Sequence, residues 1–231
     1  MCSSDLNHVP VLAEVTIAGK QRQVVMVANR NGFFYVLDRA TGELLVGKPF
    51  TATTWARELD AKGRPIVLNA DGTKGCLPDQ WGGTNFNPPA YNPKLQLFFV
   101  SARETCARYL PQEPQYVPGE ITPGGVTWID RDQQFGALRA LDARTGDMKW
   151  EFRFPQANLA GVMSTASGLV FTGDMEGNFV ALDATSGKEL WHYPTGASIW
   201  GAAPMTYMLD GRQQVLIASG AALISFALPA R

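Results

Sequence analysis

Histidine is nearly absent from this chain: only His8 and His192 occur in 231 residues. Neither has a partner at metal-ligand spacing, so both read as turn or strand-surface residues rather than ligands. Cysteine is scarce, with Cys2, Cys76 and Cys106 the full set. Net charge is nearly absent too: 20 Lys and Arg against 21 Asp and Glu leave −1. That balance gives no electrostatic reason to expect nucleic acid or an anionic membrane as partner. No run of ~20 apolar residues reads as a membrane span. The opening Met1-Cys2-Ser3-Ser4-Asp5-Leu6 lacks the basic and apolar regions of a signal peptide, and fits either a natural amino terminus or a start in mid-protein. No stretch has the period of a long amphipathic helix, while 23 glycines and 15 prolines are spread throughout.

What the chain does have is a phrase repeated three times. Val36-Leu37-Asp38-Arg39-Ala40-Thr41-Gly42, Ala140-Leu141-Asp142-Ala143-Arg144-Thr145-Gly146 and Ala181-Leu182-Asp183-Ala184-Thr185-Ser186-Gly187 share one pattern. Each follows an alternating apolar run that reads as a short strand. The Asp can accept hydrogen bonds from nearby N–H groups and the Gly supplies positive φ, so each phrase reads as a tight turn. Four residues past the glycine stand Trp150 and Trp191 in two copies and Val46 in the first. The tryptophans read as packing surfaces between neighbouring units. The last two copies lie 41 residues apart, the length of one four-stranded propeller blade. The expectation is an all-β partial propeller of about four blades, at roughly 9–50, 80–152, 160–195 and 198–229, with a β-sandwich as the weaker alternative.

Longer stretches carry a resemblance. The repeat is similar to the tryptophan-docking motif of quinoproteins, eight-bladed propeller dehydrogenases that bind pyrroloquinoline quinone (PQQ). Ala28-Asn29-Arg30-Asn31-Gly32-Phe33-Phe34-Tyr35-Val36-Leu37-Asp38-Arg39 resembles the family segment that delivers an arginine to the quinone. Trp81-Gly82-Gly83-Thr84-Asn85-Phe86-Asn87-Pro88-Pro89-Ala90-Tyr91-Asn92-Pro93 resembles the one that delivers an asparagine. Gly161 to Gly177 looks like a late blade, and Ala203-Pro204-Met205-Thr206-Tyr207 like the start of the last one. The similarity runs from about Asn7 to Pro229, leaves 1–6 unmatched, and covers the carboxy-terminal half of a methanol/ethanol-type dehydrogenase.

The resemblance implies oxidation of a small primary alcohol to an aldehyde, with a Ca²⁺ or lanthanide ion polarising the PQQ carbonyl and electrons leaving to a cytochrome c. It makes Arg30 the catalytic and cofactor-binding guanidinium, since an arginine stays charged and offers fixed donors to a developing anion. It makes Asn85 a second cofactor-binding residue. The implied metal ligands, most PQQ contacts and an adjacent-cysteine ring belong to a missing amino-terminal half, so no metal ligand is assigned in this chain, and the fragment alone is expected to be inactive. Asp5 lies near the implied catalytic aspartate, but its surroundings do not match. Leu159 stands where relatives tend to carry a tryptophan. Ser219-Gly220-Ala221-Ala222 is a short turn where methanol dehydrogenases have a long loop.

Cys76 and Cys106 fall where methanol dehydrogenases carry a disulfide, so the resemblance implies that bond and a periplasmic location, in the open periplasm or at the periplasmic face of the inner membrane. Arg108 to Gln134 reads as a long loop inserted in a blade, within an insertion around 103–135, placed to cover the cofactor mouth or meet the cytochrome. A second function class stays open: a non-catalytic propeller of the same repeats acting as a periplasmic scaffold. Arg30, the Trp81–Pro93 segment and the cysteine pair favour the enzyme, because a scaffold has no reason to keep them together.

Overall fold

The computed structural model describes residues 8–68, 76–113, 115–119 and 124–228, without the side chains at 131 and 133. The described residues contain strands and turns and no helix. The first blade is β1 (Val11–Ile17), β2 (Lys20–Ala28), β3 (Phe33–Asp38) and β4 (Leu44–Pro49), antiparallel in sequence order. A small hairpin of β5 (Ala56–Leu59) and β6 (Pro65–Val67) follows. The second blade is β7 (Ala90–Asn92), β8 (Leu97–Pro111), β9 (Gly125–Asp142) and β10 (Met148–Phe154). The third is β11 (Met163–Ser164), β12 (Leu169–Gly173), β13 (Asn178–Asp183) and β14 (Glu189–Pro194). The fourth has three strands among the described residues: β15 (Met205–Leu209), β16 (Arg212–Ser219) and β17 (Ala222–Ala227). The all-β partial propeller is therefore what the chain forms, although the strands of the second blade begin only at Ala90 and those of the fourth at Met205.

Strand alternation explains how the blades stack. Successive residues of a strand point to opposite faces of the sheet. In β8, Phe98 and Val100 pack with Val15, Met26, Phe34 and Val36 of the first blade. Phe99 points the other way, into a cluster with Trp150 of its own blade and Val170, Val180 and Leu182 of the third. A separate cluster of Phe171, Phe179, Ile199 and Ile217 joins the third blade to the fourth. The second blade is thus buried on both faces, which is why β8 reads as a continuous apolar run instead of an alternating one.

The three repeated phrases are equivalent turns. Asp38 Oδ1 accepts the Ala40 and Thr41 N–H groups at 3.1 and 3.0 Å, and Asp183 Oδ1 accepts those of Thr185 and Ser186 at 3.1 and 2.8 Å. Asp142 accepts the Arg144 N–H at 2.9 Å and the Arg144 guanidinium at 2.6 and 2.8 Å. Gly42, Gly146 and Gly187 close the turns at φ of +75, +75 and +72°, and each donates its N–H to the carbonyl of its own Asp. The Thr41 N–H, ahead of other influences, holds the Asp38 carboxyl below the usual range, and the Ser186 hydroxyl, donating at 2.8 Å, does the same for Asp183. The Arg144 side chain, ahead of every other influence, holds Asp142 down at about 2.

The second and third turns each receive a residue from the blade before them. A Cβ at Gly146 would meet Val46 at 2.9 Å, and one at Gly187 would meet the Trp150 ring at 2.5 Å. Trp150 Nε1 also donates to Ala184 O at 3.0 Å and the residue is 9 % exposed. The expected burial of Trp150 therefore holds, and that of Trp191 does not. Trp191 is 38 % exposed, resting edge-on against Phe179 and Phe226 and stacked with Tyr193. The reason is geometric: among the described residues, the three-stranded fourth blade supplies no Asp-Thr-Gly turn for Trp191 to dock on. At the opposite end nothing lies within 4 Å of a Cβ built on Gly42.

The segment around 103–135 is also not the expected loop. β8 and β9 continue pairing past the blade, with Cys106 opposite Asp130 and Pro111 opposite Gly125, as a two-stranded ribbon. A register shift between Thr105 and Cys106 marks where the ribbon departs from the blade. Proline and glycine concentrate at its end, which is why the composition reads as a loop.

Candidate functional site

Arg30 sits in the connection between β2 and β3, at the first blade's end of a set of interlocked loops. Its backbone is held on two sides: its N–H donates to His8 Nε2 at 2.9 Å, and its carbonyl accepts the Gly83 N–H at 2.9 Å. Its guanidinium Nη2 donates to Gln80 O. Gly82 presses directly on it. At φ +84°, Gly82 occupies a backbone region that glycine tolerates, and an added Cβ would lie 2.6 Å from Arg30 Cβ and 2.7 Å from its Cα. The Gly-Gly pair is what lets these two loops touch.

The loop that meets Arg30 is itself fastened to β8. The Cys76–Cys106 disulfide ties its start, with Cα atoms 4.5 Å apart, and Ala107 N donates to Cys76 O at 3.0 Å. Asp79 N donates to Thr105 O at 3.1 Å, and Arg103 N to Gly83 O at 2.7 Å. Asn85 is buried, donates Nδ2 to Trp81 O at 2.8 Å and accepts the Phe86 N–H at 2.9 Å. Arg30 and Asn85 therefore both bond to one four-residue turn, Gln80 to Gly83. Trp81, at 41 % exposure, stands out from that turn.

A second loop joins through Asn87, whose Nδ2 donates to Leu159 O. Leu159 is buried, and its neighbour Asn158 accepts the Ala160 N–H at 2.9 Å while its Nδ2 is buried without a partner among the described residues. Thr84 Oγ1 is likewise buried and unpartnered. A guanidinium, a hydroxyl and an amide donor on linked loops are a donor set suited to a ligand rich in carboxylate and carbonyl oxygen. Ser219 to Ala222 is a tight turn, with Gly220 N donating to Ser198 O at 3.2 Å.

Buried ion pairs brace this end of the fold. Arg103 and Asp79, 7 % and 1 % exposed at the side chain, bond at 2.9 Å. Burial pushes the Asp79 carboxyl upward, and the neighbouring Arg103 charge opposes it. Arg139 bridges Glu104 and Glu151, both at 2.6 Å, and donates to Phe50 O, linking the exit of the first blade to the second. His8, Asp79 and Arg103 are partners that sequence reasoning missed. Asp79 had one legible signal, its place three residues after Cys76; the others touch the site only through folding. His192 pairs with Glu189 on the surface. Asp5 and Cys2 lie outside the described residues, and among the described residues no three His, Cys, Asp or Glu side chains form a metal-binding group.

Comparison with known proteins shows what the chain as a whole is similar to. Residues 1–49 and 153–215 match the family described as PQQ: Glucose/ethanol/alcohol dehydrogenase, beta-propeller domain. The chain is 34% identical over 227 residues to a quinohemoprotein alcohol dehydrogenase of Comamonas testosteroni, covering 91% of this chain and 32% of that protein. It is 34% identical to a lanthanide-dependent methanol dehydrogenase of Methylacidiphilum fumariolicum, covering 91% of this chain and 36% of that protein. The solved structure of the quinohemoprotein alcohol dehydrogenase ADHIIG of Pseudomonas putida HK5 superposes with a TM-score of 0.86 at 34% identity, over 94% of this chain and 35% of that one. The chain spans about a third of the length of these relatives, not the half expected from the motifs. Over about nine-tenths of its length the chain is similar to quinoprotein and quinohemoprotein alcohol dehydrogenases, and it matches part of the β-propeller of such enzymes.

Proposed function

We propose that this chain is part of a PQQ-dependent dehydrogenase that oxidises a primary alcohol to an aldehyde. The observation that carries the reading is the seating of Arg30: its backbone is locked between His8 and Gly83, and its guanidinium is presented beside the Gly82–Gly83 turn. PQQ, when bound, supplies the two-electron acceptor for the alcohol. Arg30 would hold the cofactor with a fixed positive charge whose orientation is set before reaction, so that it would cost no reorganisation. Thr84 and Asn158 offer buried polar atoms to the same ligand. Asn85 shapes the loop through Trp81 O and contributes to the cofactor edge from there. A Ca²⁺ or lanthanide ion would take its ligands mostly from outside this chain; one relative is named as lanthanide-dependent. Electrons pass to a cytochrome c. The disulfide supports a periplasmic setting, where such bonds persist.

The test is Arg30→Ala in the full-length enzyme. Turnover is expected to fall about 100-fold, the scale of losing one preorganised charge donor, and by a larger factor than PQQ affinity. Unchanged turnover would refute the assignment. The 231-residue chain alone, supplied with PQQ and Ca²⁺, is expected to show no dye-coupled alcohol oxidation, because propeller sites draw side chains from blades all around the axis.

A further inference from the structure

We propose that the buried Asp79–Arg103 pair is the positioning device for Arg30, acting through the turn that both functional loops share. The proposal rests on the reading of Arg30 given above. Asp79 divides its carboxylate between two tasks. Oδ2 accepts Arg103 Nη2 at 2.9 Å, and Oδ1 accepts the Trp81 and Gly82 N–H groups at 2.9 and 3.1 Å. Its carbonyl takes the Gly82 N–H as well, at 2.9 Å. One side chain thus dictates the path of Gln80, Trp81 and Gly82. Those residues and Gly83 contribute the Gln80 carbonyl that accepts the Arg30 guanidinium, the Gly82 surface against its Cα and Cβ, and the Gly83 N–H on its carbonyl. Arg103 closes the circuit: its side chain fixes Asp79, and its backbone N–H holds Gly83 O at 2.7 Å.

The arrangement is too buried to serve surface electrostatics. Both side chains are over nine-tenths covered, and Arg103 Nε is buried with no partner among the described residues. A buried pair is weak as a source of stability, since desolvation offsets the attraction, but it fixes geometry because any displaced partner is left uncompensated. Catalytic groups need that kind of fixing: an error of about 1 Å remote from the chemistry can lower a rate about 100-fold. Asp79→Asn keeps the size and one acceptor oxygen but turns an amide toward the Arg103 guanidinium, so donor faces donor.

The experiment is a double-mutant cycle in the full-length enzyme, read by turnover with ethanol and by PQQ titration of the apoenzyme followed through tryptophan fluorescence. Asp79→Asn is expected to lower turnover at least about 10-fold and to weaken PQQ binding, whereas in an Arg30→Ala background it costs less than about 2-fold in either readout. A purely structural role would give the same loss in both backgrounds, and that result overturns the proposal, as does no loss beside Arg30. Where Asp79→Asn does not accumulate as folded protein, Arg103→Gln replaces it in the cycle. The charge-keeping Arg103→Lys is then expected to recover turnover that Arg103→Gln loses, and equal loss in the two variants overturns the proposal. If Arg30→Ala changes neither readout, the reading of Arg30 fails and takes this proposal with it. A loss in Arg30→Ala that Asp79→Asn does not share removes this proposal alone.

Discussion

Truncating the two docking tryptophans separates the repeat as a sequence from the repeat as a packing device. Trp150 is 9 % exposed, lies over Gly187, sits 5.7 Å from the Phe99 ring and donates to Ala184 O. A buried tryptophan covers about 200 Å², which at about 25 cal/mol/Å² is about 5 kcal/mol, in line with the ~3–5 kcal/mol of core aromatic truncations. Stranding the Ala184 carbonyl adds about 1 kcal/mol. Trp191 occupies the equivalent sequence position but keeps 38 % of its surface exposed, so the same area argument gives about 3 kcal/mol. Trp150→Ala should therefore cost at least about 2 kcal/mol more than Trp191→Ala in this chain. With a urea slope of about 2 kcal/mol/M, the midpoints differ by about 1 M. Trp150→Phe, which keeps a ring and loses the N–H, should fall between wild type and Trp150→Ala. Equal losses at the two tryptophans in urea denaturation would refute the reasoning, because the two differ only in what the next blade provides.

Two turn glycines with the same φ should respond differently to alanine. Gly42→Ala meets open space and carries only the left-handed backbone cost, about 1–2 kcal/mol, while Gly187→Ala also drives a Cβ into the Trp150 ring and should cost at least about 1 kcal/mol more by thermal denaturation. Reduction of Cys76–Cys106, which closes a sequence separation of 30 residues, should lower stability by roughly 3–4 kcal/mol, checked by melting with and without dithiothreitol and by alkylation mass spectrometry. Asp142, with its carboxyl held at about 2 in the folded chain, contributes stability that is complete above about pH 4 and disappears as the pH falls through 2. Its partner Arg144 is half exposed, so solvent screening keeps that contribution to about 1–2 kcal/mol. The advantage of the wild type over Asp142→Asn in urea denaturation should vanish in that window, and an advantage unchanged at pH 2 would contradict it.

The repeated Asp-x-x-Thr/Ser-Gly phrase determines a good deal by itself. It specifies a turn whose carboxylate, hydroxyl and positive-φ glycine are all local, so the fold class and the blade spacing can be read before any long-range contact is known. Arg30 and Asn85 were singled out only by the family resemblance, because their local chemistry alone reads as an arginine and an asparagine in ordinary turns. The two cysteines needed the family pattern, since nothing in a spacing of 30 residues says which thiols meet. Burial was decided only in three dimensions. Trp150 and Trp191 follow the same phrase, and just one finds a turn to dock on, because docking is a property of the neighbouring blade. The ribbon beyond Cys106 was hidden since its proline- and glycine-rich end dominates the composition, while its pairing depends on strands meeting about 20 residues apart. The Asp79–Arg103 pair was invisible for a related reason: an aspartate in a turn and an arginine in a strand look like surface residues until the disulfide and the Gly82–Arg30 contact close the space around them and exclude water.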